Sequence, residues 1–322
     1  MLDTVTIEDH RQNFSTANPD IYRYPFPPFP NGWFPVGESH RLAKGQLQSL
    51  HMLGQDIVLY RTEQGIANVI GAYCPHLGAH LGYGGTIQGE DIVCPFHKWQ
   101  YGLDGKCTAA CNAKKTPQAS VKTYHVREKN GAIFIWHDVK GREPFWEIPD
   151  LEETTSDEYR LLKSEVHTIN THPQEAFENQ PDSLHLETLH GYKLTKADWD
   201  CDDYSTSLEL EMTMGESDQI GRVTVRAWGP SYNFSRFKDG IPAVAIFMYT
   251  PTHPGSLYNP VAFWVHKSIP DEFANLWADF ITEGYVMDFD VWERKRYEQN
   301  PCMSDADGPV AKMRQWYQRW YE

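Results

Sequence analysis

Cys74-Pro75-His76 and Cys94-Pro95-Phe96-His97 each join one cysteine to one histidine, and seventeen residues lie between the two groups. Thiolate is a soft ligand that suits iron, and imidazole suits iron as well. Each pair falls in a turn-rich stretch, Cys74-Pro75-His76-Leu77-Gly78-Ala79-His80 and Cys94-Pro95-Phe96-His97-Lys98-Trp99. Two short loops of this kind can grip a metal cluster from opposite sides and leave the histidine edges near the surface.

Two Cys on one iron and two His on the other form the ligand set of a Rieske [2Fe–2S] centre, where the His pair raises the reduction potential. A structural zinc site is the alternative. Zinc fingers usually pair like with like, as Cys-x-x-Cys and His-x3-5-His. Here each half mixes one Cys with one His at different spacings, so the pattern favours the two-iron centre.

A second group lies in Asn179-Gln180-Pro181-Asp182-Ser183-Leu184-His185-Leu186-Glu187-Thr188-Leu189-His190. His185 and His190 are five apart, and a slight break at a helix end would bring both onto one metal. Two His and one carboxylate on one side of Fe(II) leave positions open for oxygen and substrate. Two nearby His are more often ordinary surface or core residues, but a one-electron carrier upstream needs somewhere to deliver electrons. The carboxylate should come from a distant segment, and a helix expected over Asp271 to Tyr297 offers Asp279, Glu283, Asp288 and Asp290. Steps of three and four from Asp288 reach Trp292, Gly284, Ile281 and Trp277, with Phe273, Phe280 and Val291 beside them. That is the apolar stripe, whereas Asp290, Glu283 and Asp279 share the solvated face with Arg294. A buried carboxylate needs a partner or a metal, which points to Asp288 as third ligand. A buried Asp hydrogen-bonded to a neighbour is the alternative. Asp182 sits one helical turn before His185 and is expected to orient that ring rather than bind metal.

The remaining chain must position these groups. Pro25-Phe26-Pro27-Pro28-Phe29-Pro30 excludes helix, and residues 1–30 read as an N-terminal arm. Trp33 to Gly37, Asp56 to Tyr60, Ala67 to Tyr73 and Asp91 to Val93 read as short strands, and the last two deliver Cys74 and Cys94. Leu103 to Lys106 reads as a turn. Val121 to Val126 and Ala132 to His137 flank Asn130-Gly131, a type I′ hairpin signal. Residues 31–140 are thus expected to be an all-β domain, with Lys140 to Asp150 as linker. In 141–322 the pattern changes. Residues 172–190 read as one helix, with Pro181 near a start and Gly191 as a stop. Ser207 to Met214 alternates apolar and polar residues as a half-buried strand does. Gly221 to Trp228, Ala243 to Tyr249 and Pro260 to Val265 read as further strands. The expected class is α+β, an all-β cluster domain before an antiparallel sheet with helices.

The chain has 322 residues and a net charge of −15, which argues against a nucleic-acid partner. No apolar run is long enough for a transmembrane segment, and the start lacks the basic and apolar regions of a signal peptide. Six Cys are too few for a disulfide framework, and Cys107, Cys111, Cys201 and Cys302 read mainly as packing residues. A cytoplasmic location is the expectation.

Together these residues resemble the Rieske non-haem iron oxygenases over nearly the whole chain. Cys74, His76, Cys94 and His97 complete the cluster motif. Asn179, Asp182, His185 and His190 match the family's Asn-x2-Asp-x2-His-x4-His pattern, and Asp288 matches its late carboxylate. Ala72 to Gly82 and Val93 to Tyr101, running on to Gly105-Lys106-Cys107, look like the cholesterol 7-desaturase (Neverland-type) group. Phe134 to Asp138 and the Asp288-x3-Trp292 spacing also resemble the bacterial ketosteroid hydroxylase oxygenases. The resemblance implies a helix-grip catalytic domain with a curved antiparallel sheet and a ring-shaped oligomer, commonly a homotrimer. It implies a [2Fe–2S] cluster on Cys74, His76, Cys94 and His97, Fe(II) on His185, His190 and Asp288, and Asn179 near that iron. Asp182 would bridge a cluster His of one subunit to an iron His of the next and carry the electron. The expected activity uses O2 to hydroxylate or desaturate a hydrophobic polycyclic substrate, a sterol or steroid. No dinucleotide fingerprint is visible, so NAD(P)H would act through a separate ferredoxin-type reductase. Trp228, Phe247, Tyr249, Phe263 and Trp264 fall on catalytic-domain strands but read equally as core. The rivals are oxidation or demethylation of an aromatic or quaternary-amine substrate, a Rieske electron carrier without oxygen chemistry, and a zinc-stabilised binding protein.

Overall fold

The computed structural model describes residues 22–214 and 219–322. Its first part is built of β1 (Gly32–Glu38), β2 (Leu47–Met52), β3 (Gln55–Arg61), β4 (Ala67–Gly71), β5 (Thr86–Gln88), β6 (Asp91–Val93), β7 (Gln100–Tyr101), β8 (Cys107–Ala109), β9 (Val126–Lys129) and β10 (Ala132–His137). These form three small sheets, in the orders β1-β10-β9, β2-β3-β4 and β5-β6-β7-β8. Asn130 takes a left-handed conformation (φ 52°) in the β9–β10 turn, as a type I′ hairpin needs. The first arm of that hairpin is Val126–Lys129 rather than 121–126. Residues 121–125 instead leave toward the cluster sheets, where Val121 N–H donates to Gly105 O at 2.9 Å and Thr123 bridges Ile70.

The second part holds α1 (Glu152–Thr155), β11 (Tyr159–Ile169), α2 (Pro173–Glu178), α3 (Ser183–Thr188), β12 (Tyr192–Cys201), β13 (Ser205–Met214), β14 (Gly221–Trp228), β15 (Tyr232–Phe237), β16 (Ala243–Met248), β17 (Thr250–His253), β18 (Ser256–His266), α4 (Asp271–Arg294) and α5 (Val310–Gln318). One antiparallel sheet runs β11-β18-β16-β15-β14-β13-β12, with β17 added on β18. The whole is α+β. On β13, Leu208 and Leu210 are buried, as the alternation requires. Helix α4 crosses the sheet face. Trp277 meets Phe237 and Phe263 edge-on at 5.2 and 5.7 Å, and Tyr285 meets Phe247 at 4.7 Å.

Several expectations fail here. The helix over 172–190 is two helices, α2 and α3, because Pro181 offers no N–H and biases Gln180 away from helical geometry. Helix α4 ends at Arg294, not Tyr297, since Lys295 is already extended (ψ 145°). Phe273 and Val291 lie on the exposed side of α4 and Phe280 is part-exposed, while Ala274, Ala278, Asp288 and Trp292 are buried. The stretch from Lys140 to Asp150 is packed rather than free. Trp146 and Ile148 are buried, and Glu147 pairs with Arg127 at 2.8 Å.

Backbone and side-chain bonds tie the two parts together. Leu53 and Gly54 in the β2–β3 turn donate to Pro251 O and Thr252 O of β17 at 2.7 and 3.0 Å. Trp33 Nε1 donates to Trp146 O at 2.9 Å.

Candidate metal centres and substrate cavity

The two cluster loops fold alike. In the β4–β5 connection Cys74 N–H donates to Ala79 O (2.8 Å) and Gly78 N–H to Cys74 O (2.9 Å). In the β6–β7 connection Cys94 N–H donates to Trp99 O (2.8 Å) and Lys98 N–H to Cys94 O (3.2 Å). Both turns point a buried cysteine inward. The rings of His76 and His97 stand 4.7 Å apart, and Trp99 stacks on His76 at 4.2 Å with planes 5° apart. His76 Nδ1 is buried with no hydrogen bond among the described residues. Burial raises the pKa of the Cys94 thiol. Tyr101 places its hydroxyl 3.0 Å from Cys74 Sγ, and burial pushes that hydroxyl upward, so it stays a donor. Cys107 is buried as well, whereas Cys111 and Cys302 are exposed.

The second site is made by the break between α2 and α3. His185 lies on α3, His190 follows its end, and Asp288 comes from α4. One ligand atom of each falls within 4.8 Å of the others. His190 Nε2 is 3.4 Å from Asp288 Oδ1. His185 Nδ1–H donates to Asp182 O, which fixes the ring and leaves Nε2 free. Burial lowers the His185 pKa and favours the neutral ring that metals bind. Gly191 takes a positive φ (73°), which turns the chain from His190 into β12. Asp288 is 7% exposed. Asp279 and Asp290 instead pair with Lys163 and Arg294 at 2.6 and 2.7 Å, and both side chains are exposed. Glu283 is exposed too. Asn179 stands outside the three-residue group. Its Oδ1 accepts from Trp292 Nε1 at 3.1 Å, one turn beyond Asp288. The Asp182 carboxylate makes no hydrogen bond among the described residues.

A cavity of about 470 Å³ reaches His190 between the sheet and α4. Its walls are mainly apolar, with Leu210, Val223, Val225, Phe237, Ile281 and Tyr285 among them. Trp228, Phe247, Tyr249, Phe263 and Trp264 are not among its lining residues. Trp228 stacks on Phe234 at 5.7 Å, and Phe247, Tyr249 and Phe263 sit in the core.

Two family models match this chain: the Rieske [2Fe-2S] domain over residues 32–125, and the 3-ketosteroid 9alpha-hydroxylase C-terminal domain over residues 135–321. The cholesterol 7-desaturase of Bombyx mori is 34% identical, over 92% of this chain and 70% of that protein. That of Xenopus laevis is 32% identical, over 92% and 72%. The chain belongs to the Rieske non-haem iron oxygenases. The oxygenase component of 3-ketosteroid-9-alpha-monooxygenase from Mycolicibacterium smegmatis is 27% identical to this oxygenase, over 91% of this chain and 82% of that one. The fold is that of dicamba monooxygenase bound to dicamba, with TM-score 0.76 at 17% identity over 90% of this chain and 97% of that one. It is likewise that of Pseudomonas putida NdmA with caffeine, TM-score 0.73 at 20% identity over 89% of each chain.

A Rieske oxygenase uses a [2Fe–2S] cluster, a mononuclear iron and O2. The donors here fit both groups. Two thiols and two imidazoles converge in twin loops with His76 Nδ1 unpaired, and two imidazoles and a carboxylate converge beside the cavity with His190 Nδ1 unpaired. Sequence reasoning missed two residues that support these sites. Tyr101, on Cys74 Sγ, is seven residues past Cys94 and gave no signal by spacing. Gly308 lies so close to Pro181 O that an added Cβ would collide with it. The contact braces the α2–α3 break, and no local pattern announces it.

Proposed function

We propose that this oxygenase hydroxylates or desaturates a sterol or steroid. The observation that carries the reading is the apolar cavity of about 470 Å³ against His190, a volume within the range of small-molecule sites. The relatives named for cholesterol and 3-ketosteroids give the same direction.

In this reading Cys74, His76, Cys94 and His97 hold the cluster, and His185, His190 and Asp288 hold the iron. When bound, these groups supply single electrons and activate O2 for attack on a C–H bond. The chain's own residues do the rest. The Asp182 carbonyl holds the His185 ring. The Asp182 carboxylate is left to receive a cluster histidine from a neighbouring subunit of a trimer. Asn179 and Trp292 hold the two sides of the site together. Leu210, Val223 and Ile281 exclude water and grip the apolar rings. A separate NAD(P)H-dependent reductase feeds the cluster. Residues 31–140 act as the cluster domain and 141–322 as the catalytic domain, after an arm over 1–30. No helix among the described residues is long and apolar enough to cross a membrane, and we place the enzyme in the cytoplasm.

The test is mass spectrometry of products from the metal-loaded enzyme with a surrogate reductase, NADH and O2. The substrates are sterols, ketosteroids and simple aromatics. A steroid gaining one oxygen marks a hydroxylase, and one lacking two hydrogens marks a desaturase. Conversion of the aromatics alone refutes the substrate class.

A further inference from the structure

Strand β15 turns alternate residues toward α4. Ser235 and Phe237 line the cavity. Asn233, two residues earlier, shares their face. Its strand partner Phe247 packs on Tyr285 of α4, so this face continues past the cavity wall toward the helix. Asn233 is only 8% exposed, and its Oδ1 is fully buried with no hydrogen bond among the described residues. Ser235 is only partly buried and presents its hydroxyl to the cavity between its strand neighbours Val225 and Ala245.

An amide oxygen buried without a partner beside an apolar cavity costs stability, and such a group needs an explanation. Two other polar groups on the cavity wall, Tyr285 and Asp239, are already engaged. Tyr285 donates to Asn259 Oδ1 at 2.9 Å, and Asp239 accepts the Arg222 N–H at 3.0 Å.

We infer that Asn233 and Ser235 bind a hydroxyl on the substrate, at the end where the apolar rings stop. The inference rests on the steroid reading above and narrows it. A hydroxyl donates to Asn233 Oδ1, satisfying the orphaned oxygen, and accepts from Ser235 Oγ on the cavity wall. A ketone has no proton to give and leaves Oδ1 unpaired. The anchored oxygen then decides which ring carbon faces His185, His190 and Asp288.

The experiment measures Kd by calorimetry on the metal-loaded enzyme. The ligands are a ring-hydroxylated steroid, its ketone and its deoxy counterpart. The wild type should bind the hydroxyl form about tenfold or more tightly than the deoxy form. Ser235→Ala and Asn233→Leu should each bring that ratio close to one. The loss should fall on the hydroxylated ligand, and Asn233→Leu should melt no lower than wild type without ligand. Equal affinities in the wild type overturn the inference, as do variants that weaken all three ligands alike. Binding of none of the three overturns the steroid reading, and this inference with it.

Discussion

Acid should loosen the segment that leads into the metal-site histidines, through His172. This imidazole caps α2, accepting the Gln174 N–H on Nδ1 at 3.1 Å. It sits among Tyr24, Phe26 and Tyr317. Burial pushes its pKa from 6.5 down to about 3, and the Pro27 carbonyl offsets little of this. A protonated ring cannot accept at Nδ1, so protonation also removes the cap. Because the folded pKa lies below the unfolded one, the stability is fully present above pH 6.5 and is lost as pH falls toward 3. At pH 5 the unfolded chain holds a proton that the folded chain lacks, a loss of about 2 kcal/mol relative to pH 8. Asn caps helices as well as any residue but does not titrate in this range. Urea unfolding of wild type and His172→Asn at fixed ionic strength therefore isolates the effect. The smaller Asn leaves a cavity at every pH, whereas only the wild type loses the proton-linked part. The stability gap between the two should shrink by about 2 kcal/mol from pH 8 to pH 5. Titrating carboxylates and acid loss of metal are common to both proteins and cancel. A gap that stays constant would show that His172 titrates normally, and the argument would fail.

Gly308→Ala should push Pro181 away and disturb the α2–α3 break. Metal analysis should then find the mononuclear iron depleted, while the visible spectrum of the cluster persists. Asp288→Ala should likewise retain the cluster, lose the other iron and abolish product formation. Full iron content in that variant would remove Asp288 from the ligand set. Tyr101→Phe removes the hydroxyl 3.0 Å from Cys74 Sγ and should lower the cluster's reduction potential in an EPR-monitored titration. Asp182→Asn keeps the carbonyl that holds His185, so both metals should remain while turnover falls about 10- to 100-fold. Unchanged turnover would end its role in electron delivery.

The cluster loops were legible because their donors lie within one short stretch and proline and glycine force turns around them. Asp288 was legible through helical phase alone. Of the four α4 carboxylates weighed as third ligand it is the buried one, and Asp279, Glu283 and Asp290 face solvent. The same phase argument misplaced Phe273 and Val291, whereas Phe280, though part-exposed, lines the cavity. A helix with apolar residues on two sides does not say which side meets the sheet. Pro181 was read as compatible with one helix, when its missing N–H divides the segment in two. Strands β11 and β12 left little trace because they are half-exposed and rich in charge, as in Lys193, Lys196 and Asp198. The Gly308–Pro181 contact joins residues far apart in sequence, and the unpaired state of Asn233 is a property of the packed sheet. Neither can be read from a local pattern.

Helix α4 links the cavity and the His185–His190–Asp288 group more tightly than either alone suggests. Trp277, Ile281 and Tyr285 line the cavity on successive turns, and Asp288 follows one turn after Tyr285. Trp292, one turn further, is tied to Asn179 on the segment that carries His185 and His190. The eight-residue step from Trp277 to Tyr285 spans about 12 Å of helix, so the cavity wall and the Asp288 carboxylate belong to a single rigid rod. A ligand that shifts this rod along its axis must also shift Asp288 against His190, which is 3.4 Å away. Phe237 and Phe263 hold Trp277 from the sheet, and Asn259 holds the Tyr285 hydroxyl. These contacts resist that shift at both ends of the cavity. The cavity can then vary through the strand side chains that face α4, while the helix holds Asp288 against His190.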